Sequence, residues 1–126
     1  MNELIYSSTC ATYGNPEVLP ITEKTPTVPI NPYGKSKLFA EEAIRDYAFA
    51  NPEFRAVILR YFNVFGPGQY GDSPYSTAVS AWCNAIKNGL ECRSDGDGEQ
   101  TRDLCYIDNI VSAKWKEVID EHISNT

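Results

Sequence analysis

A strand, a helix and a second strand in the first half of the chain constrain the fold more than any other feature. Residues 4–8 are a short apolar run that ends in hydroxyl side chains, and residues 55–62 are rich in β-branched and aromatic side chains. Between them, apolar residues at helical spacing predict a helix over residues 33–50. Five prolines in residues 15–32 predict an extended loop before it. Two strands joined by a helical crossover form a parallel βαβ unit, so the chain is predicted to be an α/β protein.

The second half of the chain predicts short elements around a glycine-rich loop. The pattern favours a helix over residues 75–87, strands over residues 90–94 and 101–107, and a last helix capped by Asp108. Residues 66–71, GPGQYG, match the G-x-G-x-x-G form of dinucleotide-binding loops. However, Pro67 removes a backbone donor and the next helix begins several residues later, so we interpret this segment as a substrate loop.

A tyrosine and a lysine four residues apart open the predicted first helix. The spacing of Tyr33 and Lys37 places a phenol and an ammonium on one helix face. A free tyrosine titrates at about pH 10, and a neighbouring cation favours the phenolate, so such a pair can exchange a proton with an alcohol. Thr9, at the end of the first strand, can supply a hydroxyl donor opposite the phenol. Tyr-x-x-x-Lys alone is a weak motif, because both residue types are common on exposed helix faces.

Four motifs in order along the chain carry a resemblance to a known family. They are residues 5–14 (IYSSTCATYG), 31–37 (NPYGKSK), 59–66 (LRYFNVFG) and 96–103 (GDGEQTRD). Together they resemble the extended short-chain dehydrogenase/reductase family, and within it the NAD-dependent nucleotide-sugar epimerases of the UDP-glucose or UDP-N-acetylglucosamine 4-epimerase type. The resemblance implies a Rossmann-type, doubly wound and mostly parallel fold, with NAD as cofactor and a UDP-sugar as substrate.

The resemblance also implies roles for the residues near the first strand and helix. Tyr33 would take the proton from the sugar 4-hydroxyl as hydride passes to NAD, and Lys37 would favour the phenolate and bind the nicotinamide ribose. Thr9 would contact the reacting oxygen as a catalytic and substrate-binding residue. Ser7 and Ser8 would lie near the cofactor, and their alternative role is to satisfy backbone groups at the strand end.

Three further residues receive roles beyond the second strand. Tyr61 would lie near the nicotinamide, with core packing as its alternative. Asn63 and Arg102 would bind the diphosphate of the nucleotide sugar, since a guanidinium offers a bidentate fork to phosphate oxygens. The alternative for Arg102 is an ion pair with Asp103 or Asp108.

The residues that follow Thr9 separate epimerases from related dehydratases. Nucleotide-sugar 4,6-dehydratases and decarboxylases of the family carry acidic residues there, whereas this chain has Cys10 and Ala11. Neither residue is a general acid at neutral pH. Epimerisation is therefore favoured over dehydration.

The chain is expected to be part of a longer enzyme. Members of the family begin with a strand, a glycine-rich turn and a helix that hold the NAD pyrophosphate, and this first βαβ unit is expected to be missing. We expect residues 1–68 to form the catalytic half of the Rossmann-type domain. Residues 69–126 would form part of the small substrate-binding region, with a returning strand and helix. The alternative function is a catalytically silent fragment that acts at most as a binding or oligomerisation piece.

Composition limits the possible partners. A net charge of −6 without a Lys/Arg cluster argues against nucleic acid, and no apolar run is long enough to span a membrane, so a cytoplasmic location is expected. No metal site is expected, because the four cysteines are scattered without a C-x-x-C pair and the one histidine, His122, lies near the C-terminus. We expect the thiols of Cys10, Cys83, Cys92 and Cys105 to be reduced and mostly buried. A homodimer, or self-association through helices or an exposed sheet edge, is also expected.

Overall fold

The computed structural model of the chain describes residues 2–72 and 76–124, with side chains described up to residue 116. The chain divides into two units, Met1–Tyr61 and Phe62–Thr126. The boundary predicted after residue 68, between a catalytic half and a substrate-binding region, is a functional one and stays a prediction.

The first unit is the predicted βαβ motif. Strands β1 (Glu3–Thr9) and β2 (Arg55–Tyr61) form a parallel two-stranded sheet with Glu3 opposite Arg55 and Thr9 opposite Tyr61. Helix α1 (Pro32–Ala50) connects the two strands and packs on both. Because parallel strands cannot be joined by a tight turn, the helix is the crossover that this pairing requires. The α/β prediction is confirmed, and β2 ends one residue earlier than predicted.

The start of helix α1 is determined by an N-cap residue and by a close approach of the helix to the segment after β1. Asn31 is extended, with φ −128° and ψ 160°, and its side chain accepts a hydrogen bond of 2.7 Å from the Gly34 N–H. Pro32 takes the first helical position, where a missing N–H costs little. A Cβ on Gly34 would lie 2.5 Å from the Ala11 carbonyl oxygen, so only glycine allows this approach. The start of α1, including Tyr33, therefore lies against the segment that follows β1.

The second unit has a smaller parallel sheet. Strand β3 (Asn63–Phe65) pairs with β4 (Leu104–Tyr106), with Asn63 opposite Leu104. Helix α2 (Ala78–Lys87) is capped by Thr77, and helix α3 (Ile107–Ser124) follows β4 directly. Asp108 thus lies in the first turn of α3, one residue inside the helix it was predicted to cap. The predicted start of α2 at Tyr75 lies outside the described residues.

The predicted strand over residues 90–94 is wrong. These residues are exposed and have no regular structure, and in the described part of the chain the sheets contain only β1 with β2 and β3 with β4. A strand forms when a neighbour accepts and donates its backbone hydrogen bonds, and here none does. The segment is instead tied to α2, because the Leu90 N–H donates to the Ala85 carbonyl and the Trp82 indole N–H donates to the Arg93 carbonyl at 2.8 Å.

Polar side chains occupy most of the buried positions that the structure describes. Tyr13 is the buried apolar residue among them, and the buried polar residues are Ser8, Thr9, Thr12, Glu41 and Ser80. All four cysteines are free, but the prediction that they are mostly buried is wrong, since Cys83 and Cys92 are exposed and Cys10 and Cys105 are half-buried. Two-stranded sheets leave little interior in which a thiol can be enclosed.

Candidate active site

Tyr33 and Lys37 lie one turn apart on the same face of α1. The Lys37 ammonium is 6.0 Å from the centroid of the Tyr33 ring and 5.1 Å from that of Tyr6. It also donates a 3.0 Å hydrogen bond to the backbone carbonyl of Ser7 on β1. Lys37 is half-buried, whereas Tyr33 is 56% exposed, so the cation is fixed between helix and strand while the phenol is open to a ligand.

Thr9 ends β1 and caps a short 3₁₀ helix, Cys10–Thr12. Its side-chain oxygen accepts a 3.2 Å hydrogen bond from the Ala11 N–H, and its carbonyl accepts one of 2.9 Å from the Thr12 hydroxyl. A hydroxyl that accepts a backbone N–H keeps its own hydrogen for donation. The Thr9 hydroxyl therefore keeps a hydrogen that it can donate, and its predicted contact with a substrate oxygen stays a prediction.

Ser7 and Tyr61 connect the ends of the two strands. Their hydroxyl oxygens are 3.0 Å apart, and the Ser7 carbonyl accepts from Lys37. The Tyr61 hydroxyl thus belongs to a polar cluster with Ser7 and Lys37, and a tyrosine that served only core packing would not need this hydrogen bond. Ser7, Thr9, Lys37 and Tyr61 all lie at the carboxyl ends of parallel strands or beside them, where open α/β sheets bind their ligands.

Ser8 has its partner inside the protein. It is 3% exposed, and its hydroxyl donates a short hydrogen bond of 2.5 Å to the carboxylate of Glu41 on α1. The prediction that Ser8 lies near the cofactor stays a prediction, but the structure commits the hydroxyl to Glu41.

Glu41 is a central residue of this region that sequence reasoning missed. Its carboxylate is fully buried and accepts hydrogen bonds from Arg60 on β2, at 2.6 Å from Nη2 and 3.0 Å from Nε, and from Arg45 at 3.0 Å. The Arg60 guanidinium also lies 4.7 Å from the centroid of the Tyr13 ring. The signal in the sequence was the continued four-residue spacing, which puts Glu41 on the same helix face as Tyr33 and Lys37.

Opposing effects determine the charge state of Glu41. Burial acts to raise the pKa of its carboxyl, but hydrogen bonds from Arg60 and Ser8 and the positive charges of Arg60 and Arg45 outweigh burial and leave the pKa below its ordinary value. The hydrogen bond to Glu41 in turn raises the pKa of the Arg60 guanidinium. Both groups are therefore charged at neutral pH.

Asn63 and Arg102 lie in the second unit, where Asn63 is hydrogen-bonded to Asp103, the residue that follows Arg102. The backbone N–H and the side-chain amide of Asn63 both donate to the Asp103 carbonyl, at 3.2 and 2.9 Å. Arg102, next to Asp103, is exposed and donates one hydrogen bond of 2.8 Å to the Thr101 carbonyl. Among the described residues Arg102 forms no ion pair with Asp103 or Asp108, the alternative considered from the sequence. The diphosphate role of both residues stays a prediction.

The GPGQYG segment does not open a helix. It follows β3, and α2 begins only at Ala78, so the backbone arrangement of a dinucleotide-binding loop is not formed. A Cβ on Gly71 would lie 2.3 Å from the Ser80 carbonyl oxygen, which explains the glycine there as a packing requirement. Beside the loop is a cavity of about 480 Å³ lined by Phe65, Gly68, Gln69, Cys83, Asn84 and Tyr106.

The described residues contain neither a cluster of metal ligands nor a membrane-spanning helix. Within that part of the chain no three His, Cys, Asp or Glu side chains gather as metal ligands. None of the described helices is long and apolar enough to cross a bilayer. The side chain of His122 lies outside the described residues.

Comparison with known proteins identifies the family. A family model described as "NAD dependent epimerase/dehydratase family" matches residues 1–121. UDP-arabinose 4-epimerase 1 of Arabidopsis thaliana is 43% identical over 129 residues, which cover 90% of this chain and 30% of that protein. UDP-glucose 4-epimerase of Bifidobacterium longum is 49% identical over 133 residues, which cover 96% of this chain and 39% of that protein. The chain thus spans about a third of the length of the curated relatives it matches.

Solved structures agree with this relationship. UDP-N-acetylglucosamine 4-epimerase of Methanobrevibacter ruminantium superposes with a TM-score of 0.86 at 36% identity, over 90% of this chain and 36% of that one. UDP-glucuronic acid 4-epimerase of Bacillus cereus, in complex with UDP-glucuronic acid and NAD, superposes with a TM-score of 0.80 at 32% identity, over 93% of this chain and 35% of that one. The predicted partial Rossmann-type fold is confirmed. The chain belongs to the NAD-dependent epimerase/dehydratase family.

Proposed function

We propose that the chain supplies the catalytic centre of an NAD-dependent 4-epimerase of UDP-sugars. The observation that carries this proposal is the cluster of polar side chains in the first unit. An exposed phenol, Tyr33, stands beside a cation, Lys37, that is anchored to β1, and the hydroxyl hydrogen of Thr9 is free to donate at the end of the same strand.

The residues at the strand ends fit the nicotinamide ribose. The Lys37 ammonium and the hydroxyls of Ser7 and Tyr61 form a cluster of donors of the kind that ribose hydroxyls accept. NAD, when bound, supplies the acceptor for the hydride that leaves C4 of the sugar. We assign Lys37, Ser7, Tyr61 and Tyr33 to this contact, and Ser8 to a supporting position behind it.

The chain's own part in the reaction is to move one proton. The Tyr33 phenolate accepts the proton of the sugar 4-hydroxyl as the hydride leaves C4, with Lys37 as the neighbouring cation. Tyr33 returns the proton to the same oxygen when the hydride comes back to the opposite face of C4. Thr9 donates to the same oxygen and holds it in place. A positioned acid/base of this kind contributes about 10²–10⁴-fold to the rate.

We assign Asn63 and Arg102 to the diphosphate of the substrate. Arg102 is exposed and uses one guanidinium N–H for Thr101, which leaves its other donors for phosphate oxygens. The relatives named above are epimerases of UDP-linked sugars, which supports UDP as the nucleotide.

Dehydration is the less favoured reaction. Thr9 is followed by Cys10 and Ala11 in the 3₁₀ helix, and neither side chain is a carboxylate that eliminates water. The family named above includes dehydratases as well as epimerases. The residues after Thr9, and not the fold, therefore carry the preference for epimerisation.

A second candidate function is a catalytically silent binding or oligomerisation piece. Among the described residues β1 pairs only with β2, so each of these strands has an edge without a partner, and such edges invite self-association as a homodimer or larger species. A cytoplasmic location belongs to either candidate and is supported by four free thiols, which suit a reducing compartment.

A chimera tests the epimerase proposal. Residues 1–121 replace the aligned segment of the Bifidobacterium longum UDP-glucose 4-epimerase, and UDP-glucose/UDP-galactose interconversion and bound NAD absorbance are measured. We expect turnover and bound NAD in the chimera, and neither in the 126-residue chain alone. A folded chimera that retains NAD but shows no turnover would refute the epimerase proposal, and turnover or micromolar NAD binding by the chain alone would refute the silent alternative.

A further inference from the structure

A buried carboxylate joins the three elements that carry the candidate active site. Glu41 on α1 is fully buried and accepts hydrogen bonds from Ser8 on β1 and Arg60 on β2. Ser8 directly precedes Thr9, and Arg60 directly precedes Tyr61. Each of these two partners is therefore the sequence neighbour of a residue that the proposed reaction uses.

Lys37 and Glu41 together fix helix α1 along strand β1. Lys37 donates to the carbonyl of Ser7, and Glu41, one turn later, accepts from the hydroxyl of Ser8. These are consecutive residues of β1, so a shift of the helix by one strand residue would break both bonds. A buried charge is tolerated only when it is paired and hydrogen-bonded, so a shifted position of α1 in which Glu41 loses these partners is disfavoured. The position of Tyr33, one turn before Lys37, is thereby set relative to Thr9.

Arg60 extends the same support to the other side of Thr9. Its guanidinium binds Glu41 through two nitrogens and stacks 4.7 Å from the ring centroid of Tyr13, which is 5% exposed. Tyr13 follows the 3₁₀ helix that Thr9 caps, and its N–H donates to the Cys10 carbonyl. The segment on each side of Thr9 is therefore held through Glu41.

On the basis of the proposed function, we propose that Glu41 is a positioning residue for epimerisation. Through Ser8 and Arg60 it sets the separation of the Tyr33 and Thr9 hydroxyls, and it touches neither the sugar nor the cofactor. Proton transfer needs partners within about 2.6–3.2 Å, so a small displacement slows the chemical step more than it weakens substrate binding.

Steady-state kinetics of the chimera test this role. We compare Glu41→Gln and the milder Ser8→Ala with Glu42→Gln, a matched change at an exposed neighbour on the same helix. Both test variants are expected to lower kcat by about tenfold to a hundredfold while KM for UDP-glucose stays within about threefold and bound NAD is unchanged. Glu42→Gln is expected to leave all three as they are. An unchanged kcat in Ser8→Ala, or loss of NAD from it, would overturn the proposal.

Hydrogen exchange of the 126-residue chain separates this inference from the proposed function. Ser8→Ala and Glu41→Gln are expected to accelerate exchange about tenfold or more over residues 7–12 and 32–41, with helix α2 unchanged. If the unmodified chimera is folded but inactive, the epimerase proposal fails and the exchange measurement still decides whether Glu41 holds these segments. Exchange that rises equally throughout the chain, or not at all, would show that Glu41 does not position them.

Discussion

Removing the Glu41 carboxylate should destabilise the first unit by more than any surface substitution. The perturbation is Glu41→Leu, which keeps similar volume but leaves the Arg60 guanidinium, 13% exposed, without its partner. Breaking a buried ion pair by removing one partner costs about 3–5 kcal/mol, a large part of the ~5–15 kcal/mol that stabilises a typical domain. Replacing both groups, as in Glu41→Leu with Arg60→Met, should recover most of this loss because no buried charge is then left unpaired.

The pH dependence of this effect follows from the lowered pKa of Glu41. A carboxyl whose pKa is lower in the folded state than its ordinary value of 4.5 stabilises the fold fully above that value. The stabilisation is lost as the pH falls through the folded-state pKa. The difference in free energy of unfolding between the unmodified chain and Glu41→Gln should therefore be largest near neutral pH and should shrink below about pH 4.5.

Urea denaturation followed by far-ultraviolet circular dichroism measures these differences. The unmodified chain, the two single variants Glu41→Leu and Arg60→Met, and the double variant form a double-mutant cycle, with Glu42→Leu as the exposed control. A loss below about 1 kcal/mol for Glu41→Leu, the range of surface ion pairs, would show that water screens the pair and would refute this reasoning. A loss in the double variant as large as in Glu41→Leu would do the same.

Three further substitutions test the site and the fold. In the chimera, Tyr33→Phe should lower epimerase turnover by about 10²–10⁴-fold with the fold intact, while Tyr47→Phe on the exposed part of the same helix should not; activity within tenfold of the parent would contradict the acid/base role of Tyr33. Arg102→Ala should weaken UDP binding about ten- to a hundredfold by calorimetry, against no change for Arg93→Ala, and equal affinities would exclude the diphosphate contact. Gly34→Ala should lower the stability of the chain by about 1–3 kcal/mol, because its Cβ would lie 2.5 Å from the Ala11 carbonyl oxygen. Lys35→Ala is the exposed control for Gly34→Ala, and equal melting temperatures would contradict the close approach.

Local patterns were sufficient where the structure is stabilised locally. Helix α1 was predicted from its apolar spacing alone, and the structure adds Asn31 as cap and Pro32 in the first helical position, which also act within a few residues. The strand prediction for residues 90–94 failed because a strand depends on a partner from a distant part of the sequence, and no propensity within the segment supplies one.

Motifs such as Ser7-Ser8-Thr9 and Tyr33-x-x-x-Lys37 are contiguous, so the family, the βαβ order and the residue types of the candidate site could be read from the order of the residues. How those residues are connected could be seen only in the folded chain. The fold placed the Ser8 hydroxyl against Glu41, joined Ser7 to Tyr61, and, among the residues that the structure describes, left Arg102 without an ion pair to Asp103 or Asp108. These relations depend on the register of β1 on β2 and on the depth at which α1 packs. The Glu41 carboxylate holds helix and strands together because it is buried and must keep its hydrogen-bond partners. Burial is a property of the folded chain and not of the order of its residues.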